Sequence, residues 1–176
     1  LGETILIASS QGVSPWTVFA QGISKNTNFS IGLATFLMSV TVLLLWIPLK
    51  QRPGIGTVLN AIIISIVLDY SYPYLPQPNQ FFFQIIQSFI GVIIVGIGSG
   101  FYLISNLGPG PRDGLMTGLQ KLTKFPIFFV RGSIEIIVVF IGWKLGGIVG
   151  AGTIIFAVFV GPSVSIGFIV VKTFFK

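Results

Sequence analysis

The sequence predicts an all-α membrane protein: six transmembrane helices, the first truncated, in two inverted three-helix repeats, each carrying a short re-entrant or interfacial helix. Three observations lead there. Apolar residues make up 53% of the chain and charged residues only 8%, against about 25% charged in an ordinary soluble domain. Several uninterrupted hydrophobic stretches are long enough to cross a bilayer. The chain also repeats itself at a fixed offset of 96 residues.

The hydrophobic stretches run over 30–49, 54–72, 80–107, 125–145 and 149–171. Each is close to the about 20 residues that cross about 30 Å of hydrocarbon. A further run, 1–11, is too short. Under the offset its first position falls on Ile97, deep in the stretch that begins near Gln80. It therefore reads as the end of a first span whose start lies before Leu1. The expected units are a repeat over 1–72, a periplasmic linker over 73–79 and an inverted repeat over 80–176.

The duplication rests on costly matches. Gly12, Pro15 and Gly22 pair with Gly108, Pro111 and Gly118, and Gly54-x-Gly56-Thr57 pairs with Gly150-x-Gly152-Thr153. Shared Ile or Leu would be cheap in such a chain, but a matched turn Gly, Pro and GxGT are not. Lys50, Arg52, Arg112, Lys121, Lys124, Arg131, Lys172 and Lys176 fall on one side of the expected membrane and Lys25 and Lys144 on the other. The basic side is the cytoplasmic one, so both termini are expected inside, at a cell (inner) membrane. Each repeat has an odd number of spans, which sets the two halves in opposite orientations.

GVSPWTVFAQGIS (12–24) reads as a glycine turn, an N-cap at Ser14, Pro15 at the first helical position, and a short helix. GPGPRDGLMTGLQ (108–120) reads the same way, with Asp113 in the first turn. Both are too short to span. As re-entrant half-helices they would aim free N–H groups at an anion or at the carboxylate of a zwitterion. As interfacial helices they would merely connect spans. Symmetry breaks where Trp16 and Thr17 meet Arg112 and Asp113, the positions to suspect of specificity; the alternative is a local charged pair at the interface.

Charges at depth are few. Glu135 lies about 15 Å along its helix, near the midplane, where a carboxylate costs at least about 2.5 kcal/mol unless paired or hydrated. Arg131, four residues earlier, shares its face. The pair either orients helices or forms an ion or solute site. Asn60, Gln84 and Gln87 add amides that serve as ligands or, more often, as glue between helices. Gly96–Gly100 and Gly142–Gly146 have GxxxG spacing, here read as internal packing. Asp69, beside Tyr70 and Tyr72, reads as an interfacial residue.

GPGPRDGLMTGLQ, the Arg131–Glu135 pair and GWKLGGIVGAGTIIFAVFVGP together resemble the YczE/YyaS/YitT-like bacterial integral membrane proteins, most of all the YczE branch. GVSPWTVFAQGIS and RPGIGTVLNA fit the same branch, so the resemblance covers essentially the whole chain. It implies a multi-pass membrane protein without the soluble C-terminal domain of the YitT branch. It marks Pro111, Arg112, Asp113, Gly114 and Glu135 as motif positions and carries over no catalytic residue.

The expected function is a small-solute transporter or channel for an anionic or zwitterionic solute, with a non-transporting accessory or regulatory membrane protein as the alternative. The candidate binding residues are Ser14, Trp16, Thr17, Asn60, Arg112, Asp113, Arg131 and Glu135. With no Cys and no His, thiolate, zinc and imidazole chemistry lack their parts. No enzyme, no cofactor and no metal is expected. The excess of 10 Lys and Arg over 4 Asp and Glu is read as loop charge rather than nucleic-acid binding. The partners expected are the lipid bilayer, the solute and, given the small size, a second copy in a homodimer.

Overall fold

Turn and cap chemistry divides the chain into eight α-helices among the described residues. The structure, a computed structural model, describes residues 1–174. Helix α1 (Gly2–Ser9) ends on a left-handed Ser10. Pro15 opens α2 (Pro15–Asn26) at a position where its missing N–H costs nothing. The Ser30 hydroxyl accepts the Leu33 N–H at 3.1 Å to start α3 (Ile31–Trp46). Then come α4 (Ile55–Ser71), a 3-10 turn Tyr72–Tyr74, and α5 (Phe81–Ile104). Pro111 opens α6 (Pro111–Thr123), which stops at a left-handed Lys124. Helices α7 (Ile127–Lys144) and α8 (Ala151–Phe174) complete the chain.

The helix starts keep the sequence offset: Pro15 with Pro111, Ile31 with Ile127, Ile55 with Ala151. The halves also grip each other reciprocally. The Gly152 N–H at the head of α8 donates to the Gln11 carbonyl at 2.7 Å, and the equivalent Gly56 N–H at the head of α4 donates to the Leu107 carbonyl at 2.9 Å. Each glycine turn thus sits on the GxGT of the other half. Gly12 has φ +100° and Gly108 φ +113°, a region open to glycine. A side chain would also collide: a Cβ on Gly12 would lie 2.5 Å from the Gly150 nitrogen, and one on Gly108 2.9 Å from the Gly54 Cα. The matched glycines of the sequence are therefore contact glycines.

Among the described residues, three helices are long and apolar enough to cross a membrane: Ile55–Tyr74, Phe81–Ile104 and Ala151–Thr173. Helices α2 and α3 together make a fourth candidate, bent by 116° at their junction. The other stretches read from hydropathy fall short for physical reasons. Helix α3 has 16 residues, about 24 Å at 1.5 Å per residue, because the chain turns at Ile47–Lys50. Helix α7 carries Arg131, Glu135 and Lys144 in its 18 residues.

Two buried clusters hold the bundle. One gathers Trp16, Met38, Trp46, Leu115 and Met116; the other gathers Leu6, Val13, Val18, Leu68 and Val92. Gly96 and Gly100 of α5 pack against Ser163 and Gly167 of α8, so that GxxxG serves internal packing as read. In the second GxxxG only Gly142 packs, against Val18 and Phe19. Gly146, at φ +93°, closes the turn after α7 instead. Outward, Ile62, Ile63, Phe82, Phe128, Phe140 and Ile154 are exposed, an apolar perimeter suited to lipid.

Candidate functional site

Helix α2 is buried along most of its length, from Pro15 through Val18 and again over Ala20–Gly22. Its first turn therefore opens into the protein rather than onto a surface. The first turn of α6 starts nearby, fixed by the Trp46 indole N–H, which donates to the Pro111 carbonyl at 2.9 Å. Between the two first turns lies a cavity of about 520 Å³.

Every candidate residue read from the sequence lines that cavity. Ser14, Trp16 and Thr17 come from the head of α2, and Arg112 and Asp113 from the head of α6. Asn60 comes from α4, and Arg131 and Glu135 from α7. Thr35 and Ser39 of α3 contribute to the wall, but their hydroxyls donate to carbonyls one turn back. A second cavity of about 340 Å³ shares Glu3, Asn60 and Tyr102 with the first.

The local bonding differs from the expected caps. Ser14 holds the N-cap position of α2, yet its hydroxyl makes no cap bond. It donates instead to Glu3 Oε2 at 2.9 Å, and the Thr17 hydroxyl donates to the same oxygen at 2.9 Å. Glu3 thus places a carboxylate at the head of α2, just as Asp113 sits in the first turn of α6. Glu3 is the residue that sequence reasoning misses here. The sequence puts it inside the first span and makes it one of only 4 acids. Its repeat counterpart, however, is the neutral Ser99, so the duplication does not point to it. Tyr102 is missed too; its hydroxyl donates to the Gly108 carbonyl at 2.5 Å and steadies the second turn.

Arg131 Nε donates to Glu135 Oε1 at 2.9 Å, as the i, i+4 spacing predicts. The pair is not buried: the side chains are 51% and 27% exposed. Arg112 and Asp113 form no such pair; among the described residues Arg131–Glu135 is the one salt bridge. Arg112 lies over the Trp16 ring, 5.5 Å from its centre. The Trp16 indole N–H is buried without an acceptor among the described residues.

The amides at depth divide. Asn60 faces the cavity, whereas Gln84 and Gln87 are glue. Gln11 donates to Gln84 at 2.6 Å, and Gln87 donates to the Ile5 carbonyl at 3.2 Å and the Pro76 carbonyl at 3.0 Å. Asp69 clasps α3 to α4, accepting from the Ser30 hydroxyl at 2.5 Å and the Gly32 N–H at 2.8 Å.

Chemically the cavity presents carboxylate, guanidinium, amide and hydroxyl groups on an otherwise apolar wall. That is the make-up of a small-molecule binding site: mostly apolar, with a few convergent polar groups.

Comparison with known proteins bears on the whole chain. A protein of Haemophilus influenzae named "Uncharacterized protein" is 44% identical over 164 residues, 93% of this chain and 75% of its own length. The Bacillus subtilis "Uncharacterized membrane protein YczE" is 30% identical, over 85% of this chain and 70% of its own length. The B. subtilis protein YyaS is 26% identical, over 88% of this chain and 79% of its own. No solved structure matches the chain. The family of unknown function DUF6198 matches residues 1–168. The glycine turns, the short helices and the cavity all lie within that match, and the chain belongs to this family, with the membrane protein YczE and the protein YyaS among its relatives.

Proposed function

We propose that this protein is a multi-pass transporter of the bacterial inner membrane that binds a small zwitterionic or anionic solute in the cavity between α2 and α6. In this reading the two halves are inverted three-helix repeats, both termini are cytoplasmic, and α2 and α6 are re-entrant half-helices. The carrying observation is the cavity of about 520 Å³, lined by charged groups from both halves where the two short helices begin. The reciprocal bonds of Gly152 and Gly56 support the repeat. The burial of α2 supports its re-entry, since non-helical backbone at depth is tolerated only where protein or water surrounds it. Arg112 and the helix heads offer positive potential to a carboxylate. A second copy of the chain is the natural partner, its contact made through the exposed apolar perimeter.

The test is a thermal-shift screen of the purified protein against a metabolite library, followed by uptake of any hit into proteoliposomes. A stabilising solute that is taken up, with both effects lost in Arg112→Ala, supports transport. A silent screen and no uptake point instead to an accessory membrane protein with no solute of its own.

A further inference from the structure

The cavity carries a charge imbalance. Its carboxylates are Glu3, Asp113 and Glu135, and its guanidinium groups are Arg112 and Arg131. Arg131 and Glu135 neutralise each other. Arg112 then stands alone against Glu3 and Asp113, leaving one negative charge uncompensated. Glu3, Arg112 and Asp113 are each only partly buried, and the excess negative charge that they turn to the cavity favours a cation there. Glu3 is also only half satisfied. Ser14 and Thr17 donate to its Oε2, while its Oε1 has no donor among the described residues.

A second, independent observation points to an acceptor. Trp16 is only 7% exposed and lines the cavity, and its indole N–H has no acceptor. An indole nitrogen can only donate, and a buried donor left unmet is costly. Arg112 lies over the same ring, and its guanidinium makes no salt bridge among the described residues, which leaves its N–H fork free for an oxyanion.

On the reading that the cavity holds a solute, we infer that the solute carries both a cationic nitrogen and an oxyanion, as an α-amino acid or a betaine does. The nitrogen sits at Glu3, beside the Ser14 and Thr17 hydroxyls. The oxyanion sits at the Arg112 guanidinium and the Trp16 N–H. A purely anionic solute is disfavoured, because a carboxylate of the chain already stands at the head of each short helix.

The test uses the purified chain in detergent and three matched probe sets: the proteinogenic α-amino acids, the amines left by removing their carboxyl groups, and the acids left by removing their amino groups. Thermal shift finds binders and equilibrium dialysis measures them. At least one zwitterion is expected to bind, with its matched amine and acid each weaker by about tenfold or more. Glu3→Gln weakens the zwitterion and the amine by about tenfold but spares the acid. Trp16→Phe keeps an aromatic face, removes the N–H, and weakens the zwitterion and the acid but not the amine. Should Glu3→Gln fail to fold, Trp16→Phe still decides which end of the solute meets the indole. Acids that bind alone, indifferent to Glu3→Gln, overturn the inference and leave the solute-binding reading standing. So does silence from all three sets alongside a hit of another class in the wider library. Silence in both screens overturns the two together.

Discussion

Helices α3 and α4 of the first half and α7 and α8 of the second begin at equivalent positions, yet one pair is shut and the other open. In the first half, Asp69 of α4 reaches the start of α3 and accepts from Ser30 and Gly32. Gly32 lets the backbones meet: a Cβ there would lie 2.5 Å from the Asp69 carboxyl carbon and against the Ser65 carbonyl. In the second half, Phe128 replaces Gly32, Gly161 replaces Ser65 and Ser165 replaces Asp69. Helices α7 and α8 form no comparable seam. Gly132 and Gly161 face open space, and the cavity wall runs from Arg131 and Glu135 of α7 to Ala157, Gly161 and Val164 of α8. The lesson is that segments matched in sequence need not do the same job twice. Three differing positions accompany the change from a closed seam to the flank of a cavity.

The comparison can be broken from either side. Gly32→Phe, which copies the second half into the first, is expected to force α3 off α4 and to cost about 3 kcal/mol or more of stability. A lowered midpoint of unfolding, or loss of monodisperse protein, would register it. The mirror change, Phe128→Gly, removes a side chain that is 74% exposed, and is expected to cost about 1 kcal/mol or less, from helix propensity alone. Equal losses in the two variants would erase the proposed difference between the seams.

Asp69→Asn tests the clasp with less violence. It removes the charge from two hydrogen bonds at the head of α3 and is expected to cost about 1–2 kcal/mol. The repeat partner, Ser165→Ala, is expected to change stability by less than about 0.5 kcal/mol. Cysteine labelling sharpens the contrast further, since the chain has no Cys of its own. Gly161→Cys is expected to react readily with a small thiol reagent, and Ser65→Cys, buried at the matching site, slowly. Similar rates would mean that the second seam is closed as well.

The smallest effect is expected at the salt bridge. Arg131 is half exposed, and an exposed i, i+4 pair is worth about 0.3–0.5 kcal/mol. Arg131→Gln should therefore leave the unfolding midpoint nearly unchanged. A large loss would show that the pair holds α7 in place rather than facing the cavity.

Part of this was legible because it is local. Gly12 and Gly108 announce turns, Pro15 and Pro111 announce first helical positions, and Arg131 and Glu135 announce a pair; each depends only on neighbours within a turn or two. The candidate residues were legible as the heads of two matched short helices; that those heads face one cavity was not, because two helix starts at a fixed offset need not meet. Helix lengths were less legible. Hydropathy runs smoothly through Ile47 and Leu49, whereas the backbone turns there.

Sequence alone determined that this is a membrane protein and that its helix starts recur at a fixed offset of 96 residues, because composition and spacing survive without knowledge of any contact. Tertiary structure alone decided where the side chains spend their bonds. The Ser14 hydroxyl, in place to cap α2, goes to Glu3 instead, eleven residues back along the chain. The Trp46 N–H crosses to Pro111, and the Trp16 N–H meets no acceptor among the described residues. The physical reason is that such bonds join residues far apart in the chain. Which partner wins depends on how helices cross, and the order of the residues does not encode that at any single position.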